Sequence, residues 1–159
     1  MAIDDLVKLT ESRSPGTRLM GMDLGTKTIG LALSDPGLMI ASPLDTIQRR
    51  KFSKDLVILQ SFIVERGVGG LVIGLPANMD GSEGPRAQGT RDFAANLAQH
   101  INLPFAFWDE RLSTAVVQRL MIEEADLSRK RRAQSVDKMA AAYILQGALD
   151  ALKSYNRRM

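Results

Sequence analysis

No cysteine occurs among the 159 residues, and histidine occurs once, at His100. Disulfide scaffolds, thiolate zinc sites and cysteine nucleophiles are excluded together, as is a metal site built on several histidines. Any metal this chain holds must be held by oxygen, and oxygen ligands suit hard cations such as Mg2+ or Mn2+. Long apolar runs are missing too. The stretch Met1–Gly16 mixes acids and bases, which excludes a signal peptide or membrane anchor there and leads us to expect a cytoplasmic protein that does not engage a membrane. No repeat, low-complexity segment or long Pro/Gly linker divides the chain. With 45% hydrophobic and 25% charged residues, the expected organisation is a single domain over residues 18–159, preceded by a peripheral leader over residues 1–17.

The net charge is +3 and the pI about 9.4, a mild basic bias compatible with a polyanionic partner. Basic residues bunch at Arg49, Arg50 and Lys51, at Arg129 through Arg132, and at Arg157 and Arg158. Taken singly, each cluster reads equally well as solvated loop or tail charge.

Along the chain, Ile3 to Leu9 can form a short helical turn before Ser14-Pro15-Gly16 breaks it. Arg18 to Asp23 and Thr28 to Ser34 read as strands joined by a tight turn at Leu24 to Lys27, and a third strand is expected near Leu44 to Gln48. Ser53 is a candidate N-cap for a helix that stops at Gly67. Gly70 to Leu75 is a continuous apolar run, the pattern of a strand covered on both faces in a parallel sheet. Pro76 to Pro85 is a loop, Arg86 to His100 a helix, and Pro104 to Trp108 a strand. Ser113 or Thr114 caps a helix to about Glu124, and a basic connection leads to a last helix over Gln134 to Lys153. The order predicts an α/β domain with a mixed five-stranded sheet, three early antiparallel strands and two later parallel ones, flanked by helices.

Binding sites in open sheets form beyond the carboxyl ends of parallel strands. That rule selects Asp23 after the first strand, Asn78 and Asp80 after the Gly70–Leu75 run, and Asp109 and Glu110 after Pro104–Trp108. Asp137 lies beside an apolar seam of Val136, Met139, Ala140, Tyr143, Ile144 and Gly147 on the last helix, whose alanines allow a close approach to the sheet. Each acid has a structural alternative: a turn cap for Asp23, a pair with Arg111 or Lys138 for Glu110, and a first-turn acid favoured by the helix dipole for Asp137. Asn78 and Asp80 read equally as turn formers, and Phe107 and Trp108 as core. Clustered carboxylates hold the paired cations, about 4 Å apart, that activate water and stabilise the leaving oxygen in phosphodiester hydrolysis. Without metal the same acids repel, so at least one is expected to have a raised pKa.

Four segments together resemble one family: Met22-Asp23-Leu24-Gly25-Thr26-Lys27-Thr28-Ile29-Gly30-Leu31-Ala32, then Gly74-Leu75-Pro76 with Asn78, Asp80 and Gly81, then Asp109-Glu110-Arg111-Leu112-Ser113-Thr114, and Asp137-Lys138-Met139-Ala140-Ala141. They are similar to the motifs of the YqgF family of Holliday junction resolvases, in order and over nearly the whole length from Arg18. The resemblance implies a ribonuclease-H-like fold and matches Asp23, Glu110 and Asp137 to the family's acidic metal-binding, catalytic positions. It also implies a hydrolase, a divalent-metal-dependent endonuclease that matures the precursor of 16S ribosomal RNA in ribosome biogenesis. RNA is then the favoured partner over junction DNA, and ribosomes or their precursors are further candidate partners. Lys27, Arg86, Arg111, Arg131 and Arg132 are candidates to hold backbone phosphates, contacts that position without reading sequence. The residues before Arg18 depart from the family's usual start.

Three other readings remain open on sequence. Asp23-Leu24-Gly25-Thr26 also resembles a phosphate-binding turn of actin and sugar-kinase enzymes, although those close two such domains around a nucleotide. A non-catalytic RNA-binding transcription or ribosome-assembly factor is a second reading. The third is a DNA junction resolvase, expected to act as a two-fold dimer; residues alone leave monomer and homodimer both open.

Overall fold

The computed structural model describes residues 2–78, 80–110 and 129–158, and the side chains of residues 3–78, 80–110 and 137–158. The elements run α1 (Ala2–Ser12), β1 (Arg18–Leu24), β2 (Thr28–Ser34), β3 (Ala41–Gln48), α2 (Phe52–Arg66), β4 (Val68–Leu75), α3 (Pro85–Ala98), β5 (Phe105–Asp109) and α4 (Arg129–Arg158). The five strands form one sheet in the order β3-β2-β1-β4-β5. β1, β2 and β3 pair antiparallel, whereas β1–β4 and β4–β5 pair parallel. The α/β class, the mixed sheet and its flanking helices are as the element order predicted. Among the described residues no helix is long and apolar enough to cross a membrane.

Central and edge strands differ as their sequences do. β4, Val-Gly-Gly-Leu-Val-Ile-Gly-Leu, is buried at every position but the last, the behaviour of a strand covered on both faces. β3 lies at an edge, carries Pro43 and Asp45, and is largely exposed; a proline is tolerated there because an edge strand need not donate on both sides. It begins at Ala41, three residues before the expected start, and Asp45 and Pro43 pair with the consecutive residues Leu31 and Ala32, leaving Leu44 as an extra residue.

Helix α2 ends as predicted on Gly67 in the left-handed conformation, φ 65° and ψ 48°. Its start differs: Ser53 is not the N-cap. The helix begins at Phe52 after Lys51, and buried Asp55 accepts the Arg50 N–H at 3.1 and 3.2 Å. The carboxylate reaches back over the first turn to the N–H of the residue before the cap and sets negative charge at the positive end of the helix. The expected helix from Ser113 or Thr114 to Glu124 lies outside the described residues. The last helix is already formed at Arg129, ahead of Gln134, so residues 129–133 of the expected basic connection are helical in backbone; Arg, Lys, Ala and Gln are good helix formers.

Alternation along the strands sends successive side chains to opposite faces. On one face Met20, Met22, Leu31, Leu71 and Ile73 pack against Leu59 of α2 and Phe93, Ala94 and Leu97 of α3. On the other, Leu19, Ala32, Val72 and Ala106 pack against Ala141, Ile144, Leu145, Ala148 and Leu149 of α4. The packed stripe of α4 is thus rotated from the expected seam, with Met139 and Tyr143 only half-buried. Phe107 and Trp108 pack against the two cores, as core residues do. The leader is not peripheral: Leu6 and Leu9 of α1 are buried in the α4-side core, because α1 covers ground between β5 and α4 that the sheet alone leaves open.

Candidate metal centre at the end of the central strands

Strand alternation brings the site together. In β1, Leu19, Gly21 and Asp23 share the face toward α4. In β2 that face carries Thr28, Gly30 and Ala32, in β4 it carries Val72 and Gly74, and beyond β5 it carries Glu110 after Ala106 and Trp108. Asp23 pairs with Gly30 across the antiparallel ladder. Leu75 pairs with Asp109, and its carbonyl accepts the Glu110 N–H at 3.4 Å.

Helix α4 closes over these positions because the strands present glycines to it. A Cβ at Gly30 would run into the backbone carbonyl of Asp137. A Cβ at Gly74 would stand 2.7 Å from Glu110 Oε2 and 2.5 Å from Ile144 Cδ1, and one at Gly21 would stand 2.9 Å from the Ala141 carbonyl. Helix backbone therefore lies directly on strand backbone, and the first described turn of α4 side chains delivers Asp137 beside Asp23.

Asp23 and Glu110 meet: Glu110, in its protonated form, donates to the Asp23 carboxylate. Burial pushes the Glu110 carboxyl up to about 8, helped by the Asp23 charge and the hydrogen bond itself, while Arg86 opposes the rise. The Asp23 carboxyl is also raised, first by burial and then by the Asp137 charge, against the lowering effects of the Glu110 hydrogen bond and Arg86. Asp137 is raised by burial and held back by Thr28, whose hydroxyl donates to Asp137 Oδ2. Among the described residues no three acids or histidines already stand as a finished ligand set. The arrangement is a touching pair, Asp23 and Glu110, with Asp137 within electrostatic reach and restrained by Thr28. Its donors are all oxygen and its crowded negative charge is partly buried, so the residues fit a hard divalent ion.

Of the expected phosphate-holding residues, Arg86 in the first turn of α3 directs Nη2 at the Leu24 carbonyl, 3.5 Å away, and its charge is felt by both acids. Lys27 is exposed in the β1–β2 turn. Arg111 lies outside the described residues, and so do the side chains of Arg131 and Arg132. Asn78 and Asp80 act within their own loop: the Asn78 N–H donates to the Ser82 carbonyl at 2.8 Å, and Asp80 Oδ1 accepts from Ser82 N and Oγ at 2.9 and 2.6 Å. Gly81, at φ 88°, supplies the left-handed residue of that turn. Thr28 went unnoticed in the sequence, although strand alternation from Gly30 puts it on the face of Asp23.

Residues 17–151 match the family model RuvX, described as Holliday junction resolvase. The chain belongs to the RuvX family. Relatives bear the name "Putative pre-16S rRNA nuclease": the protein of Paramagnetospirillum magneticum is 61% identical over 143 residues, covering 90% of this chain and 92% of its own length. That of Roseobacter denitrificans is 57% identical, covering 94% and 90%. Membership thus carries the YqgF resemblance over the domain and makes this a chain of a nuclease family. Among solved structures, Thermus thermophilus RuvC in complex with Holliday junction substrate superposes with TM-score 0.52 at 12% identity, covering 89% of this chain and 96% of that one. The yeast mitochondrial Holliday junction resolvase Ydc2 gives TM-score 0.53 at 12% identity, covering 96% and 88%. These two share the RuvC-like, ribonuclease-H-like fold with the RuvX chain.

Proposed function

We propose that this RuvX-family chain is a divalent-metal-dependent endonuclease that hydrolyses phosphodiester bonds in RNA, with the precursor of 16S rRNA as its substrate. The observation that carries the reading is the convergence of Asp23 and Glu110 in a half-buried hydrogen bond with Asp137 beside them. Asp23, Glu110 and Asp137 would hold Mg2+ or Mn2+. Ions bound there would supply an activated water and stabilise the leaving oxygen. The chain's own residues do the rest. Asp23, which interacts with both other acids, would be the ligand common to the ions, Thr28 restrains Asp137, and Arg86 offsets negative charge beside the pair and would meet the substrate backbone. Lys27, Arg111, Arg131 and Arg132 belong to the same phosphate-binding assignment, and ribosome precursors are the proposed setting.

RNA is favoured over DNA by the names of relatives at more than half identity. The family description supports a second reading, cleavage of four-way DNA junctions. Purified protein given labelled precursor RNA and junction DNA, with Mg2+, Mn2+ or chelator, separates the two. Cutting of RNA with either ion and none in chelator supports the first. Asp23→Asn should abolish cleavage while keeping the parental circular dichroism, with a loss exceeding the roughly 10–100-fold typical of an outer partner of a metal ligand. Parental cutting by that variant would sink the proposal, and RNA binding undiminished in chelator without any cleavage would favour a non-catalytic binding factor.

A further inference from the structure

We propose that Arg49, acting with Arg86, holds a backbone phosphate of the substrate against the β1–β2 turn, so that the strand being cut crosses that turn on its way to the carboxylates. The inference rests on the nuclease reading above and adds to it a residue from an element, the exit of β3, that contributes nothing to the acidic site.

Arg49 is anchored more firmly than an exposed arginine needs to be. Its N–H donates to the Lys27 carbonyl at 2.8 Å, and its Nη1 donates to the Gly25 carbonyl at 2.8 Å. The guanidinium stands 5.5 Å from the ring centre of Phe93. That ring is in turn braced by Phe52 in an edge-on contact at 5.5 Å. From the other side, Arg86 reaches the Leu24 carbonyl. Two guanidinium groups from separate elements thus converge on consecutive carbonyls, Leu24 and Gly25, directly after Asp23.

The partners are what matter. Arg49 forms no ion pair among the described residues. A guanidinium has five N–H donors in a planar fork. One of those on Arg49 is spent on a neutral carbonyl and, among the described residues, none on a carboxylate, and the residue is exposed. Anchoring of this kind orients the fork and lowers the entropy lost when an anion is gripped. The anion that fits a planar fork is a phosphate or carboxylate, and the site beside this one acts on phosphodiesters. Such a contact fixes where the strand lies without reading its bases.

A bland alternative is that Arg49 merely latches the hairpin turn. The two roles separate by substitution. Arg49→Gln removes the charge and leaves only a shorter amide donor; Arg49→Lys keeps the charge and a donor for the turn but loses the fork. Binding of a short RNA is measured in the Asp23→Asn background, where cutting is suppressed, across a salt series, and KM and kcat are measured separately in the otherwise parental chain. Arg66→Ala, a substitution of an exposed arginine at the far end of α2, serves as the equal-charge control.

We expect Arg49→Ala and Arg49→Gln to weaken binding about 5–10-fold at 0.1 M salt and to reduce the slope of log K against log salt by about one, the signature of one lost phosphate contact. KM should rise with kcat nearly unchanged, Arg49→Lys should recover part of the affinity, and Arg66→Ala should leave the slope alone. A parental slope in Arg49→Ala, or full recovery by Arg49→Gln, overturns the inference while leaving the nuclease reading intact. If the parental chain neither cuts nor binds RNA or junction DNA with Mg2+ or Mn2+, both fall together.

Discussion

Asp23 and Glu110 come from strands that are not neighbours, β1 and the exit of β5, yet their carboxyl groups share a hydrogen bond at one end of the sheet. Two acids in contact, both with raised pKa values, mean that the folded chain without metal binds a proton that the unfolded chain releases. Glu110 moves from an ordinary 4.5 up to about 8. The stabilising proton is fully present below about 4.5 and is lost as pH climbs through about 8, so stability in chelator should fall across that window. Asp35 and Glu83 have lowered values and titrate below it, so they do not contribute to the slope there. Thermal melts in chelator at pH 5.5 and 8.5 should show the parent losing several degrees that Glu110→Gln does not lose. A parent whose melting temperature is flat over this range would contradict the shared proton.

The Thr28 hydroxyl donates to the Asp137 carboxylate across 109 residues of sequence. Losing it frees the rotamer of a proposed ligand without touching the ligand. Thr28→Val keeps the shape of the side chain and its β propensity, so the fold should persist. Cleavage should drop by about 10–100-fold, as for other partners of metal-ligating groups, and higher Mn2+ should recover part of it. Activity at the parental level at low Mg2+ would show that Asp137 needs no such restraint.

How much of this could be read in advance depends on how local each feature is. Alternation in β1 and the buried run of β4 are written in consecutive residues, and so is Asp23 at a strand end. The C-terminal stop at Gly67 follows from one residue type. Leu6 and Leu9 were harder, because a short amphipathic stretch is buried only once β5 and α4 exist to cover, and nothing nearby in sequence announces them. The contact between Thr28 and Asp137, and the perch of Arg49 on Gly25 and Phe93, are tertiary facts with no periodic signal. The Asp55 bond to Arg50 reaches back past the cap position, so the pattern of N-cap residue types does not point to it.

Burial of Leu6 makes the N-terminal helix part of the folding unit. The side chain is fully buried among α4-side core residues. Leu6→Ala should destabilise the chain by about 2–5 kcal/mol, the range for leucine truncation in a packed core. Urea titration would measure it. Cleavage at 20 °C should change little, since α1 contributes nothing to the acidic end. A loss below about 0.5 kcal/mol, the range of surface substitutions, would return α1 to the role of an appendage.

Gly30 is where packing and the proposed chemistry meet. It is the ladder partner of Asp23, and the space a side chain would need is filled by the Asp137 backbone. Backbone cannot rotate aside as a side chain does, so Gly30→Ala must lift α4 off the sheet. Overpacking of this kind costs about 1–3 kcal/mol or somewhat more. A displacement on the order of 1 Å at a reacting centre costs about 10²-fold in rate. Gly74→Ala is the informative contrast: it meets the ends of Glu110 and Ile144 side chains at 2.7 and 2.5 Å, which can swing away. Its stability loss should be the smaller of the two. Its rate should still fall, because the group that swings is Glu110. If Gly30→Ala proved as stable and as active as the parent, close contact between α4 and β2 would not be what sets Asp137 beside Asp23, and the geometry of the centre would need another cause.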